Sequence, residues 1–446
     1  MGVVFGIIED QTLSIDKFAP FTCDKALLDG SYYSDKAPGI SLTALPVVAT
    51  LVSGAKIVGV DVRPISDAGL SRFYLFSVFV ACAFTSAVSS AAAAGAIFLL
   101  VRHWGLGRDA ALLSALLYGL ATPMAGWATA FFSHAMAGSL LVIAFAISVL
   151  ATETDKYGRW SLASGFLEGV LLSWSVSVEF IGGPAVLMLS VFGVRRLFEL
   201  RVSRSMRLLA GAIAGVTVGA VPLALYNHSA FGSVWHIGYE NVSTFEGMNE
   251  GFFGISMPNA TVLFKIVFGQ WRGILWISPV LVFVPIAYVF AFRHLRIDVA
   301  LLLLLIPGMY FLINCAYYYW DGGYSTGPRH VTASLGFISL AFGPLWNFAS
   351  LKMRSALLAT SLISGLISLA CASVSMVTPS FIARPVIDWI IPQFLMGQVH
   401  NALTSAGIHD LRSLIGIPLL WAFAAFVITS GPKFMLGYRR GQPRPR

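Results

Sequence analysis

The sequence predicts an all-α polytopic membrane protein, a bundle of about eleven transmembrane helices with one further helix in the external interface. Three observations predict this fold class. The 446-residue chain is 57% hydrophobic and only 11% charged, whereas a soluble domain has roughly 25% charged residues. Apolar runs that could cross a bilayer recur along most of the chain. Lys and Arg are concentrated in alternate, short connections between these runs.

Most of the runs have about the 17–25 residues that a membrane-spanning helix needs. The predicted spans are 73–101, 110–127, 131–151, 160–174, 180–194, 208–226, 274–292, 299–315, 331–348, 356–377 and 414–429. Run 41–60 contains Pro46, Gly54 and Lys56, and as a span it would invert every later loop. We therefore predict a helix lying in the external interface there, with an ordinary span in an irregular topology as the alternative.

The distribution of basic residues orients the bundle. The short connections hold most of the 29 Lys and Arg residues, and the other connections are longer and hold most of the acids. By the positive-inside rule the short set is cytoplasmic. Three regions follow. Residues 1–72 form an external loop and the interfacial helix, and residues 432–446 form a basic cytoplasmic tail. The bundle between them, 73–431, carries external loops at 227–273, 316–330 and 378–413.

The number of spans bears on the start of the chain. An odd number of spans that ends inside places the N-terminus outside, yet residues 1–8 are too short to cross a membrane and are not a signal peptide. We therefore expect a first helix upstream of Met1. A miscounted span is the alternative.

The segment 30–39, Gly-Ser-Tyr-Tyr-Ser-Asp-Lys-Ala-Pro-Gly, contains the first candidate site. Lys36 is a compact cation suited to binding a phosphate, and Tyr33 adds a hydroxyl donor and a ring. Asp35 directly precedes this lysine, and Pro38-Gly39 breaks the backbone before an apolar run. The segment is typical of a phosphate-binding loop beside a bilayer. A lysine that only reaches the headgroup layer is the alternative.

The segment 317–330 contains the second candidate site, with four aromatic residues, Asp-Gly-Gly and Gly-Pro-Arg-His. Trp320 and its neighbours could stack on a sugar face, and Asp321 could bind its hydroxyls. Arg329 offers a bidentate phosphate contact, and His330 offers another donor. An aromatic belt with a turn is the alternative, but it does not explain the glycines and the Arg-His pair together.

Other polar residues are weaker candidates for substrate binding. His134 lies at the outer mouth of a predicted span, where an interfacial histidine is an equal alternative. Tyr239 and Glu240 lie in the large loop 227–273. Two acids lie in or beside apolar runs. Acids within apolar spans are functional candidates by default. Glu168 could pair within the bundle, and Glu179 lies near the outer surface, where a simply solvated acid is the alternative.

Several classes of site are absent from the sequence. It contains no Walker loop, no HExxH, no GxSxG and no nucleic-acid-binding patch, so no nucleic-acid partner is predicted. The four cysteines are scattered and contain no CxxC pair, which argues against a disulfide framework or a zinc site. We predict no metal ligands and no covalently bound cofactor, and the sequence leaves the metal requirement open.

A loop ending in Tyr-x-x-Lys-x-Pro, residues 33–38, followed by a helix and a fan of spans, resembles the GT-C glycosyltransferases. It is most similar to the protein mannosyltransferase and lipid A aminoarabinose transferase family. The resemblance implies transfer of a sugar from a polyprenyl-phosphate donor to a glycan, lipid or protein acceptor, on the external face of a bacterial plasma membrane. In that family the loop lysine binds the lipid phosphate, which corresponds to Lys36, and Tyr33 corresponds to the tyrosine. Arg329 would assist at the phosphate.

The chain departs from this family at two points. Ala37 replaces a common proline, and the family's acidic residue, just after the first helix, would fall before Met1. Glu9 or Asp10 would then have to serve as the catalytic base. A lipid-linked sugar flippase or transporter is the alternative function. A catalytically inactive homologue that still binds the lipid phosphate is another.

Overall fold

The computed structural model describes residues 1–400, most of which are helical. The α-helices are α1 (Gly2–Phe5), α2 (Gly39–Ile57), α3 (Arg72–Cys82), α4 (Val88–His103), α5 (Arg108–Leu120), α6 (Met124–Trp127), α7 (Ser133–Glu153), α8 (Ser161–Val178), α9 (Gly183–Leu197), α10 (Val202–Phe231), α11 (Ala260–Phe268), α12 (Val284–His294), α13 (Ile297–Ala316), α14 (Leu335–Phe348), α15 (Leu351–Val374) and α16 (Ile391–Leu395). Short 3₁₀ and π-helical turns lie between several of these helices, and two short antiparallel hairpins are formed by β1 (Ala26–Leu28) with β2 (Ser31–Tyr33) and by β3 (Ile65–Ser66) with β4 (Gly69–Leu70).

Nine helical segments among residues 1–400 are long and apolar enough to cross a membrane. They are Gly39–Ile57, Arg72–His103, Ser133–Glu153, Gly158–Val178, Phe180–Leu197, Val202–Phe231, Ile297–Ala316, Arg329–Phe348 and Leu351–Val374. All but the first match runs that the sequence predicts as spans. The prediction of an all-helical, multi-pass integral membrane protein is confirmed.

Two predicted spans are interrupted helices. The run 110–127 forms α5, a turn, and the single-turn α6, because Pro123 has no N–H to continue the helix that ends at Leu120. The run 274–292 begins as two 3₁₀ turns and becomes α-helical only at Val284. Pro279 restricts the residue before it to non-helical conformations, which explains the break between the two turns.

The predicted external loops also contain helices. Loop 227–273 contains α11, and loop 378–413 contains a π-helical turn, Pro385–Ile390, that continues into α16. The predicted interfacial segment 41–60 forms α2, and its position relative to a bilayer stays a prediction. The predicted span 414–429, the tail 432–446 and the end of loop 378–413 lie outside the described residues.

Two segments form the centre of the bundle, Ser133–Glu153 with 78% and Arg329–Phe348 with 83% of the apolar window buried. A smaller apolar cluster joins the N-terminal residues to α2 and to the end of α10. The loop that follows β2 leads into α2. At the first residue of that helix, Gly39, a Cβ would come within 2.5 Å of the Ser177 backbone. This close approach holds the loop 34–38 against the end of α8.

Helices α8 and α10 pack through glycines rather than through large side chains. Gly165 and Gly169 of α8 face the backbone of α10, and Gly211 and Gly215 of α10 face the backbone of α8. Small residues allow membrane helices to approach until their backbones touch, where dispersion forces and weak Cα–H···O contacts stabilise the pair. The long α10 is thereby fixed to α8, whose end carries part of the candidate site.

We expect Gly215→Ala to destabilise the bundle, because the carbonyl oxygen of Phe166 occupies the place that the new Cβ needs. Overpacking of this kind costs about 1–3 kcal/mol. Gly95→Ala is the matched control, since a Cβ there meets nothing within 4 Å. Thermal unfolding in detergent, followed by the loss of the monodisperse size-exclusion peak, measures both variants. Equal melting temperatures would contradict the glycine packing.

Candidate functional site

Lys36 lies in the short connection between β2 and α2. Its Nζ is 2.9 Å from Asp35 Oδ2 and 3.3 Å from Asp24 Oδ1, and 40% of its side-chain surface is exposed. The ammonium also lies over the rings of Tyr239 and Phe245, 5.4 and 5.6 Å from their centroids. Burial opposes its charge, but Asp35, Tyr239 and Asp24 raise the pKa of Lys36 well above its ordinary value. The ammonium is therefore charged at physiological pH and is open on one side.

Asp35 is completely buried beneath this lysine. A Cβ on Gly238 would come within 2.7 Å of the Asp35 Cα, so a residue without a side chain lets the large loop close over the acid. Burial raises the pKa of Asp35 to about 6, against the opposing effect of the Lys36 charge. Its Oδ1 has no hydrogen-bond partner among the described residues. A buried, unpaired carboxylate oxygen is costly, which is typical of a site that receives a ligand or a water.

Glu179 follows the last residue of α8 and faces the first turn of α7. Its carboxylate accepts a hydrogen bond from the Ser133 hydroxyl, and its Oε2 is 3.0 Å from His134 Nδ1. Glu179 and His134 are 7% and 8% exposed. Burial favours the neutral acid, but His134, Ser133 and Lys36 hold the pKa of Glu179 below its usual value. Of the two alternatives that the sequence left open for Glu179, the structure excludes a solvated surface acid, since the residue belongs to a buried acid–histidine pair.

Arg329 and His330 begin the segment that leads into α14. The His330 ring is edge-on to the rings of His134 and Tyr317, at centroid distances of 5.3 and 5.4 Å. Both ring nitrogens of His330 and the Nε of Arg329 are buried without a hydrogen-bond partner in the described part of the chain. The Arg329 guanidinium lies 5.5 Å from the centroid of the Phe132 ring. This corner of the bundle thus holds several polar nitrogens with unused hydrogen-bonding capacity.

The groups around Lys36, Glu179 and His330 form one site. The charge of Lys36 helps to lower the pKa of Glu179 and opposes the rise that burial gives the pKa of Tyr317. Because the Tyr317 ring contacts His330, the three groups lie within electrostatic reach of one another. Tyr239 connects the loop 227–273 to the turn that follows α8, because its ring packs edge-on against that of Phe180, with the centroids 5.5 Å apart. We call the set the polar cluster: Asp35, Lys36, His134, Glu179, Tyr239, Tyr317, Arg329 and His330.

The two acids predicted as substitutes for the catalytic base lie elsewhere in the N-terminal region. Glu9 Oε2 is 3.0 Å and Asp10 Oδ2 is 3.6 Å from the Nζ of Lys17. Among the residues that the structure describes, neither acid makes an ion pair or a hydrogen bond with Lys36 or His134. Both carboxylates are thus engaged by a different lysine.

Three other predicted residues have local structural partners. Glu240 caps a 3₁₀ turn, its Oε1 accepting a hydrogen bond from the Ile237 N–H at 3.1 Å. The ring of Tyr33 packs edge-on against Phe231 at 5.6 Å. The ring of Trp320 is perpendicular to that of Trp271, and Lys265 lies over its face.

Asp321 belongs to a turn whose backbone is held by hydrogen bonds from the Arg272 side chain. The buried guanidinium of Arg272 donates to the backbone oxygens of Asp321, at 2.8 Å, and Gly323, at 2.6 Å. Gly323 has φ +59°, and the Tyr319 hydroxyl occupies the position of a Cβ there, so only glycine fits. The Asp-Gly-Gly segment thus has a structural explanation in this turn, which leads the chain towards Arg329.

The sequence reasoning missed Glu179 as a partner of His134, although one signal was present. The two residues end and begin apolar runs that the positive-inside rule places on the same side of the membrane. An acid and a histidine at the same end of neighbouring spans can meet when those spans pack together. Only the packing of α7 against α8 shows that they do.

Comparisons with known proteins give one similarity. No protein-family model and no curated protein matches the chain. Within residues 1–400, no group of three or more His, Cys, Asp or Glu side chains could hold a metal ion. The structure is similar to the crystal structure of ArnT from Cupriavidus metallidurans bound to undecaprenyl phosphate, with 14% sequence identity and a TM-score of 0.48. The match covers 85% of this chain and 61% of the ArnT chain. ArnT is a GT-C lipid A aminoarabinose transferase.

Proposed function

We propose that the chain is an integral membrane glycosyltransferase that moves a sugar from a polyprenyl-phosphate donor to a glycan, lipid or protein acceptor on the external face. The observation that carries this proposal is the polar cluster itself. It combines an ammonium that is open on one side with buried polar atoms that lack partners, where an apolar bundle meets its loops. A lipid with a phosphate head needs a cationic, polar site for the phosphate directly beside an apolar surface for the chain.

Lys36 and Arg329 supply positive charge for the donor phosphate. When the bond between the sugar and the phosphate breaks, negative charge accumulates on the departing phosphate, and fixed cations nearby stabilise the transition state. Lys36 acts as a point charge, and Arg329 has a buried Nε free to donate. Tyr239 and Tyr317 add ring faces at the same place, where a sugar can bind, and the Tyr239 hydroxyl adds a donor, whereas the Tyr317 hydroxyl donates to the Met248 sulfur.

The proposed position of the polar cluster on the external face of the membrane rests on the distribution of basic residues. Cysteine labelling tests this orientation. Cys23 is exposed in the loop before β1, and Phe198 is 86% exposed in the basic connection after α9. We expect an impermeant maleimide added outside intact cells to label Cys23 of the wild type. In a Cys23→Ser background, Phe198→Cys should be labelled only after permeabilisation. Labelling of Phe198→Cys from outside would contradict the orientation.

Binding and donor-consumption assays on the protein reconstituted in nanodiscs test the proposed function. We expect it to bind undecaprenyl phosphate and to consume at least one member of a panel of synthetic polyprenyl-phosphate sugars. Binding without consumption would instead support an inactive homologue that retains the lipid site. A protein that binds no undecaprenyl phosphate would overturn the proposal.

A further inference from the structure

We infer that His134, held in position by Glu179, is the general base of this reaction and that the acceptor is therefore a hydroxyl compound. The inference rests on the proposed glycosyl transfer and assigns the proton-accepting group and the acceptor class for the same site. His134 is the catalytic residue in this assignment, and Glu179 is a positioning residue.

The geometry fixes which nitrogen of His134 can accept a proton. Nδ1 is 3.0 Å from Glu179 Oε2, and a carboxylate at this position favours the tautomer in which Nδ1 carries the hydrogen. Nε2, on the opposite edge of the ring, is then left with a lone pair, and no hydrogen bond to it is recorded among the described residues. The Ser133 hydroxyl donates to the same carboxylate and fixes its orientation. The arrangement is that of a histidine base with a buried orienting acid.

The surroundings of the pair explain why Glu179 is needed. Lys36 and Arg329 are the cations of the polar cluster, and a proton taken up by His134 adds a third positive charge to it. The buried Glu179 carboxylate offsets that charge directly. The other titratable groups that lie around the pair are Asp35, Lys36, Tyr239, Tyr310, Tyr317, Arg329 and His330.

The proposed step balances in atoms and charge. The acceptor O–H gives its proton to His134 Nε2, and the acceptor oxygen forms a bond to the anomeric carbon. The bond from that carbon to the phosphate oxygen breaks, and its electron pair stays on the polyprenyl phosphate. One positive charge appears on His134 and one further negative charge on the phosphate, beside Lys36. The proton then passes from His134 to solvent, and the base is regenerated.

The presence of a base indicates the class of acceptor. A sugar, serine or threonine hydroxyl is a poor nucleophile until a base removes its proton as the new bond forms. A phosphate acceptor is already anionic at neutral pH and gains little from a histidine. The pair of His134 and Glu179 is therefore suited to a hydroxyl acceptor. Glu9 and Asp10 fit this role less well, since their carboxylates are engaged by Lys17.

The test compares His134→Ala with His236→Ala in nanodiscs. His236 is an external histidine that stacks on Phe231, outside the polar cluster. We expect His134→Ala to lower transfer from the donor that the wild type consumes to a hydroxyl acceptor by roughly 10²- to 10⁴-fold. Undecaprenyl phosphate binding should be unchanged, and added imidazole should restore part of the rate. His236→Ala should retain the rate of the wild type.

Variants of Glu179 separate positioning from folding. Glu179→Gln should lower kcat for a hydroxyl acceptor while leaving its KM and the binding of undecaprenyl phosphate unchanged, because the amide no longer offsets the charge that forms on the imidazole during the step. Glu179→Asp should restore much of the rate. A merely structural role would change the amount of folded protein but not the kcat per folded protein.

The outcomes distinguish this inference from the proposed function. If the wild type consumes donor and His134→Ala does so equally well, the base assignment is wrong and the glycosyltransferase proposal stands. If His134→Ala loses transfer to a hydroxyl and to a phosphate-bearing acceptor equally and imidazole rescues neither, the assignment also fails. A wild type that binds undecaprenyl phosphate but consumes no donor overturns the catalytic role. A wild type that binds none overturns the proposed function.

Discussion

Lys36→Ala is expected to weaken the binding of undecaprenyl phosphate roughly 10- to 150-fold, the loss of one hydrogen bond to a charged group worth about 1.5–3 kcal/mol. The ammonium is charged, 40% exposed, and held in place by Asp35 and Asp24 at 2.9 and 3.3 Å. A phosphate arriving at its open side meets a preoriented donor. Titration of the nanodisc-embedded protein with undecaprenyl phosphate measures the affinity.

Lys25→Ala is the matched control for this experiment. Lys25 belongs to the same N-terminal region and also lies over an aromatic ring, that of Tyr32, 5.0 Å from its centroid. Its Nζ donates to the Ala19 carbonyl at 3.0 Å and takes no part in the polar cluster. We expect its removal to leave the affinity nearly unchanged. Equal effects of the two substitutions would show that Lys36 acts only as a surface charge.

A double variant distinguishes the loss of a phosphate contact from a disturbance of the folded loop. Lys36→Ala leaves the buried Asp35 carboxylate without its nearest cation, and that alone could disturb the loop. Combining Lys36→Ala with Asp35→Asn removes the uncompensated charge. If the double variant unfolds at the wild-type temperature and still binds weakly, the phosphate contact is the cause. Recovery of wild-type affinity in the double variant would instead make Lys36 a structural partner of Asp35.

The fold was predictable from the sequence because membrane insertion imposes a simple pattern. Long apolar runs, separated by basic and acidic connections, predicted most of the helices that the structure shows. The pattern fails where a helix breaks inside an apolar run. The hydropathy of run 110–127 does not indicate that a helix ends before Pro123. The hydropathy of run 274–292 does not indicate that the run begins with two separate 3₁₀ turns.

The candidate site was predictable only in part. Lys36, Arg329 and His330 stand in unusual local sequences, with turn residues and aromatic residues that draw attention to them. Glu179 stands beside Gly-Gly-Pro, which resembles an ordinary loop, and its burial arises from contacts between α7, α8 and the loop 34–38 that are distant in sequence. Trp320 and Asp321 present the opposite case. Their conspicuous segment is explained by support from the buried Arg272.

A second buried charge network lies at the other end of the bundle from the polar cluster. Helix α7 begins at Ser133, beside the cluster, and ends at Glu153, whose carboxylate pairs with Arg196 of α9. Arg196 is 1% exposed, and its Nη1 is also 3.6 Å from Asp298 Oδ2 and 3.2 Å from Glu199 Oε2. One guanidinium thus joins α7, α9 and α13 on the side predicted to be cytoplasmic.

Arg196→Met is expected to destabilise the protein, because it leaves the buried Asp298 carboxylate without its buried cation and removes the partner of the partly exposed Glu153 and Glu199 carboxylates. Breaking a buried ion pair from one side costs about 3–5 kcal/mol. The lower end applies here, since His103 still lies 2.9 Å from Glu153 and Arg296 still lies 3.3 Å from Asp298. Thermal unfolding in detergent, read as the loss of folded protein by size-exclusion chromatography, measures the effect.

The matched control is Arg63→Met, which breaks an ion pair of better geometry in an exposed place. Arg63 Nη2 is 2.7 Å from Asp61 Oδ2, but its side chain is 79% exposed, so water replaces the contact and the melting temperature should hardly change. Adding Asp298→Asn to Arg196→Met should recover part of the lost stability, since one uncompensated carboxylate is then neutral. If Arg196→Met melts like Arg63→Met, the network contributes no more than a surface pair, and apolar packing alone holds α7, α9 and α13 together.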